Sequence, residues 1–110
     1  MKTSRQDAVI RKVDDSLTIE SLFDGKDFAF DVVIGKLQGH HPKLVNHVSD
    51  RAYFVLSGKL TISVGEETYQ VAEHDLVTVP KNTPHSLDGE GEYLIITAPP
   101  FAPENEEVIA

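Results

Sequence analysis

Two histidines, an arginine and a tyrosine carry most of the chemistry this chain can offer. The stretch "VNHVSDRAYFVLSG", residues 45–58, sets His47 four positions before Arg51 and six before Tyr53. His85 follows the proline-bounded segment "PKNTP", residues 80–84. Histidine titrates near neutrality and serves as metal ligand, general base or general acid. Arginine is always charged and holds carboxylates through a planar fork. In a regular strand, residues 47, 51, 53 and 55 share a face, so Arg51 points where His47 points. An interior does not tolerate a bare guanidinium. Arg51 then requires an internal carboxylate or an acidic ligand. The alternative is a bulge near Ser49-Asp50 that turns Arg51 outward to a surface acid, and both readings stay open here.

The remaining candidates are weaker. His40 and His41 precede Pro42 and reach a site only if a loop folds one of them inward. His74 lies between Glu73 and Asp75 and reads as solvated. Tyr53 and Tyr69 read as interior lining, each with a hydroxyl that needs a partner. No Ser-His-Asp order, phosphate loop or paired-carboxylate spacing supports other hydrolytic chemistry.

The elements that must position these groups read as strands. No run of apolar residues at helical spacing occurs between Val9 and Ala98, so no long helix is expected. "LTIESLF" (17–23) is rich in strand formers and stops at Asp24-Gly25. "FAFDVVIGKL" (28–37) aligns Phe28, Phe30, Val32 and Ile34 on one face. "AYFVL" (52–56) is apolar on both faces and ends at Ser57-Gly58, after which Leu60, Ile62 and Val64 alternate with polar residues. Turns follow at Gly65-Glu66-Glu67 and Glu73-His74-Asp75. Proline excludes "PKNTP" from a central strand, and "EYLIITA" (92–98) closes the series before Pro99-Pro100. Many short strands with turns between them predict an all-β sandwich or barrel. The acidic ending, residues 101–110, is expected to pack loosely apart from Phe101.

Composition narrows the function classes. A chain of 110 residues suits one domain, 1–110. Ten Lys and Arg against eighteen Asp and Glu give a net charge of −8, with the bases scattered, which argues against nucleic-acid binding. Without cysteine there is no disulfide framework or thiolate chemistry. No window approaches the ~20 apolar residues of a membrane span, and no signal-peptide stretch opens the chain. No membrane association and a cytoplasmic protein are the default expectation.

With these residues in place, the middle of the chain, about 30–100, resembles the cupins, small jelly-roll β-barrels with two motifs. Anchored on Gly58, their first motif, G-x5-H-x-H-x3-E-x6-G, puts Gly39 at its opening glycine and Val45 at its first histidine. His47 falls at the second histidine and Arg51 at the glutamate. Anchored on Pro80, their second motif, G-x5-P-x-G-x2-H-x3-N, puts His85 at its histidine, while His74, Asn82 and Gly89 replace its glycines and asparagine. The resemblance implies a single jelly-roll barrel of the double-stranded β-helix type, commonly a homodimer. It also implies a metal site, of which His47 and His85 are two of the usual four ligands. Any divalent transition metal should therefore be held weakly. A guanidinium near ~4 Å opposes a cation by roughly 4 kcal/mol per unit charge, doubled for a divalent ion.

The function expected is that of a small cupin barrel binding a small polar or anionic molecule. Arg51, Tyr53, His47 and His85 would surround it, with weakly metal-dependent catalysis as one form of that activity. The alternative is a metal-free sensing or structural barrel with no catalysis. The catalytic residues, and whether the chain is an enzyme, stay open.

Overall fold

The computed structural model describes residues 1–23 and 25–109. The strands are β1 (Val9–Lys12), β2 (Leu17–Ser21), β3 (Asp31–Asn46), β4 (Asp50–Val64), β5 (Glu67–Ala72), β6 (Leu76–Val79), β7 (His85–Ala98) and β8 (Glu106–Val108). Three 3-10 turns accompany them, and no helix among the described residues is long and apolar enough to cross a membrane. All ladders are antiparallel. The sheet order is β1-β2-β3-β7-β4-β5, with β6 pairing β4 and β8 pairing β3. The protein is thus all-β with jelly-roll character. The closed barrel of the sequence expectation is not complete in hydrogen bonds, because no ladder joins β1 to β5 among the described residues.

Side-chain parity explains why β4 turns one face inward along its whole length. Arg51, Tyr53 and Val55 are buried at odd positions, whereas Leu60 and Ile62 are buried at even ones. A β-bulge between Val55 and Ser57 inserts the residue that switches parity. Gly58 is needed beside it, since its φ is +83° and an added Cβ would lie 2.2 Å from the Glu90 carbonyl oxygen. The Ser57-Gly58 signal therefore marks a bulge inside one 15-residue strand and not a strand end. A second register shift on β3, between His41 and Leu44, accommodates Pro42, which has no ladder donor.

Strand pairing lines residues up in rows on the inward face. Asp31, Thr97, Arg51 and Val79 stand opposite one another across β3, β7, β4 and β6, and Val33, Ile95, Tyr53 and Val77 form the next row. In the third row Gly35 leaves room for Tyr93, whose ring carbon an added Cβ would approach to 2.5 Å. The apolar core is built from Leu17, Ile19, Leu37, Tyr53, Val55, Leu60, Ile62, Val71, Val77, Val79, Leu87 and Tyr93.

Several local expectations are corrected. Phe28 and Phe30 precede β3 and are exposed, packing edge-to-face with Phe23 at 5.3 and 5.8 Å. Their period-2 spacing was local; the ring cluster sits outside the strand and gains no core partner. Tyr69 stands opposite Ile62 and shares the face of Val71, but at the end of the sheet order it is 43% exposed and does not line the interior. β7 begins at His85, seven residues before the predicted strand, because Gly89 and Gly91 approach β4 too closely to act as breakers. Of the Asp24-Gly25 turn, Asp24 lies outside the described residues, and Gly25 opens a 3-10 turn to Asp27. The tail does not pack loosely throughout: β8 pairs with Leu44–Asn46 of β3, because its backbone groups find ladder partners there.

Candidate functional site

β4 delivers Arg51 and Tyr53 to the interior two residues apart, at 8% and 3% exposure. A buried guanidinium needs compensation. It comes from β8, where Glu106 Oε1 accepts a hydrogen bond from an Arg51 terminal nitrogen. Arg51 Nε also donates to Thr97 Oγ1 at 3.3 Å, across the same row of the sheet. Both charged side chains are withdrawn from water, at 7% for Arg51 and 11% for Glu106.

His85, at the start of β7, is 1% exposed and completes the cluster from the opposite side. Its Nδ1 lies 3.2 Å from the Thr83 carbonyl oxygen and its Nε2 lies 3.1 Å from the Tyr53 hydroxyl. A carbonyl can only accept, which assigns the ring proton to Nδ1 and makes Nε2 the acceptor of the Tyr53 O–H. Burial pushes His85 down to about 4, with the Thr83 carbonyl pulling the other way, so the ring is neutral at pH 7. Burial likewise raises Tyr53, opposed by the Arg51 charge. Tyr93 packs against Tyr53 edge-on at 5.7 Å, and burial raises its hydroxyl too.

His41 joins from β3. Its Nδ1 donates to the Pro42 carbonyl at 2.9 Å, which leaves Nε2 an acceptor; burial lowers its pKa, and it feels both Glu106 and Arg51. Asp31 ends the Arg51 row, buried and accepting from the Phe101 N–H at 2.7 Å; burial raises its pKa. Asn46 stands opposite Glu106 in the β3–β8 ladder. Its Oδ1 accepts from the Val48 and Ser49 N–H groups at 2.9 and 2.6 Å, while its Nδ2 is buried with no hydrogen-bond partner among the described residues.

The structure brings Arg51, Tyr53 and His85 together and leaves His47 out. β3 ends at Asn46 and β4 starts at Asp50, so strand parity breaks between His47 and Arg51. The bend turns His47 outward, whereas Arg51 keeps the inward position. His47 bridges Asn82 Oδ1 at 3.1 Å and Glu107 Oε2 at 2.8 Å on the exposed surface. Glu107 and Asn82 raise its pKa, because both nitrogens donate best as an imidazolium. His74 is solvated as expected, stacked on Phe54 with centroids 6.0 Å apart.

The metal positions of the resemblance do not fit a cation. Val45 is buried and apolar, Arg51 carries positive charge, and His47 and His85 sit in different surroundings. Among the described residues no group of three or more His, Asp or Glu side chains could hold a metal ion. Nothing in the sequence singled out Glu106, Thr97 or Asp31. Only the requirement of Arg51 for an internal carboxylate pointed toward Glu106, and it did not say which acid answers.

Comparison with known proteins places this geometry in context. A family model described as a cupin domain matches residues 35–97. An uncharacterised protein of Streptomyces coelicolor is 40% identical over 57 residues, 49% of this chain and 54% of the relative. The match thus spans about half of that relative's length. Among solved structures, Streptomyces Pac13 in complex with uridine superposes with a TM-score of 0.86 at 22% identity, covering 99% of this chain and 89% of its own. Pac13 is described as a unique nucleoside dehydratase. A predicted oxalate decarboxylase of Thermotoga maritima superposes with a TM-score of 0.80 at 12% identity, covering 89% of this chain and 98% of its own. At these identities the structural matches speak to the fold alone.

Proposed function

The chain belongs to the cupin-domain family, and on that premise we propose that it binds a small polar or anionic molecule inside its rolled sheet, against Arg51, Tyr53 and His85. One observation carries this: buried polar side chains occupy an inward face otherwise made of Val, Leu and Ile. A purely structural interior gains nothing from them, since well-packed apolar residues of similar volume are often as stabilising as a buried ion pair or more so. Apolar walls with a few convergent polar groups and perturbed titratable residues are the usual make-up of a ligand site.

The cluster supports binding first and proton transfer second. Arg51 offers charge-assisted donors, and Tyr53 offers a hydroxyl held by a neutral His85. If the bound molecule is a substrate, the Tyr53–His85 pair moves the proton: the Tyr53 oxygen takes one from the substrate as its own O–H proton passes to His85 Nε2, and the reverse shift returns it to a leaving oxygen. No step is routed through a metal, because the donor set does not suit one.

Pac13 has been solved with uridine in variants that replace a single tyrosine or histidine, which makes nucleosides part of the ligand panel. Titration calorimetry of the purified protein against uridine, a monosaccharide and malonate is expected to detect at least one ligand. Binding should fall about 10-fold or more in Tyr53→Phe and survive EDTA. Absence of heat for the whole panel would favour a structural barrel. Loss of binding on chelation would restore the metal-dependent alternative.

A further inference from the structure

We propose that Glu106 is a displaceable stand-in for the carboxylate of a small acid, which takes its place on Arg51 when β8 lifts away. This rests on the small-molecule reading of the interior cluster and names the ligand class and its regulation.

The two members of the buried ion pair are attached very differently. Arg51 sits on a 15-residue strand laddered to β6 on one side and β7 on the other. Glu106 sits on a three-residue strand that, among the described residues, pairs only with Leu44–Asn46 of β3. Two further backbone bonds flank it, His47 N–H to the Asn105 carbonyl at 3.0 Å and Ile109 N–H to the Lys43 carbonyl at 2.9 Å. The rest of β8 buries little: Val108 is 67% exposed and the Glu107 side chain 63%. A segment with few buried apolar contacts and an exposed edge ladder opens at low free energy. Of its side chains, Glu106 reaches inward to Arg51, and Glu107 holds His47 at the exposed surface.

A second observation comes from Asn46. Its Nδ2 is buried and has no hydrogen-bond partner among the described residues, which native interiors rarely accept. Rotating the amide gives no relief, because Oδ1 is already held by two backbone N–H groups. Asn46 and Glu106 are directly opposed in the ladder and so share its face. Beside the carboxylate that Arg51 holds there is thus one spare donor. A ligand carboxylate with a further acceptor would use both groups, which Glu106 does not.

Charge selects the ligand class. With Glu106 withdrawn, Arg51 faces a neutral His85 and the neutral Tyr53. Asp31 is in the same row and feels the Arg51 charge, but its Oδ2 accepts from the Phe101 N–H, and no hydrogen bond joins it to Arg51 among the described residues. One anionic group must replace the one removed. A small carboxylate with a second polar end satisfies Arg51 and Asn46 together, at the cost of releasing residues 106–109.

Malonate tests this, with malonamide as the neutral isostere, on the full-length wild type and on Glu106→Gln. The amide keeps the shape and a carbonyl acceptor for Arg51 while removing the competing charge. Malonate is expected to bind Glu106→Gln at least 10-fold more tightly than wild type, about 1.4 kcal/mol, with malonamide unchanged. Hydrogen exchange on the wild type is the second measurement and does not depend on the variant folding. Saturating malonate should speed exchange of the His47 and Ile109 amides while the β4–β7 ladder stays protected. Malonate binding that leaves those two amides unchanged overturns the displacement. No malonate binding to either protein also overturns it, and uridine or monosaccharide binding in the same samples would leave the broader small-molecule reading standing.

Discussion

His85 makes the interior sensitive to acid in a direction that its burial fixes. The folded protein keeps the ring neutral down to about 4, whereas an unfolded chain protonates it near 6.5. Stability from this group is complete above pH 6.5, falls as the pH drops towards 4 and levels off below that. At about 1.4 kcal/mol per pH unit the loss has an upper bound of ~3.5 kcal/mol. His47 acts oppositely. Glu107 and Asn82 raise its pKa, so its contribution is present below its unfolded value and is lost as pH rises through the folded one. That ring is exposed, and solvent keeps the effect small. Urea midpoints at pH 7 and pH 4.5 should therefore drop more in wild type than in His85→Gln, which keeps a donor and an acceptor but cannot titrate. Equal drops would mean that His85 is protonated in the folded state.

Among the elements, the bulge in β4 is the device on which the site depends. Without it, a strand that buries Arg51, Tyr53 and Val55 would turn Leu60 and Ile62 to solvent. Gly58→Ala combines a φ of +83° with a Cβ placed 2.2 Å from the Glu90 carbonyl oxygen and 2.6 Å from the Gly91 Cα. Backbone cannot yield cheaply there, and a loss of about 3 kcal/mol or more is expected. Gly65→Ala is the matched control. Its φ is +59°, but the nearest atom to an added Cβ is a Thr83 methyl at 3.7 Å, so only the backbone term remains, about 1–2 kcal/mol. Thermal unfolding of the two variants distinguishes strain from crowding. Similar losses would show that the close approach at the bulge relaxes.

For the whole molecule, the N-terminal segment bears on association. Arg5 forks onto Glu20 at 3.0 and 2.9 Å and also reaches Glu92 at 2.5 Å, which pins the segment to the sheet. Leu17 and Ile19 are core residues of this chain and are not available to an interface. Val9 and Ile10, by contrast, are 72% and 68% exposed on the edge strand β1. An edge with unpaired backbone groups and two large aliphatic side chains is suited to strand pairing with a second copy. Sedimentation at micromolar concentration is expected to show a dimer of the 12.1 kDa chain, reduced to monomer by Val9→Asp with Ile10→Asp. A monomeric wild type would remove the homodimer.

Local chemistry was legible where it depends on neighbours in the chain. The turns at Gly65 and His74, the all-β character and the shared face of Arg51, Tyr53 and Val55 follow from glycine conformations, proline exclusion and period-2 alternation, which act over a few residues, while the direction of Arg51 stayed open. The need of Arg51 for a carboxylate was legible too, as a debt of desolvation. Three things were decided only by tertiary structure. The break in strand parity at residues 47–49 turned His47 outward. The bulge at Val55/Ser57 joined two opposite burial phases into one strand. The partner of Arg51 proved to be Glu106, 55 positions away on a strand three residues long. Composition shows only one acid among several in the tail. Which carboxylate meets a buried guanidinium is set by the register of β8 on β3, a pairing between distant segments that no local pattern encodes.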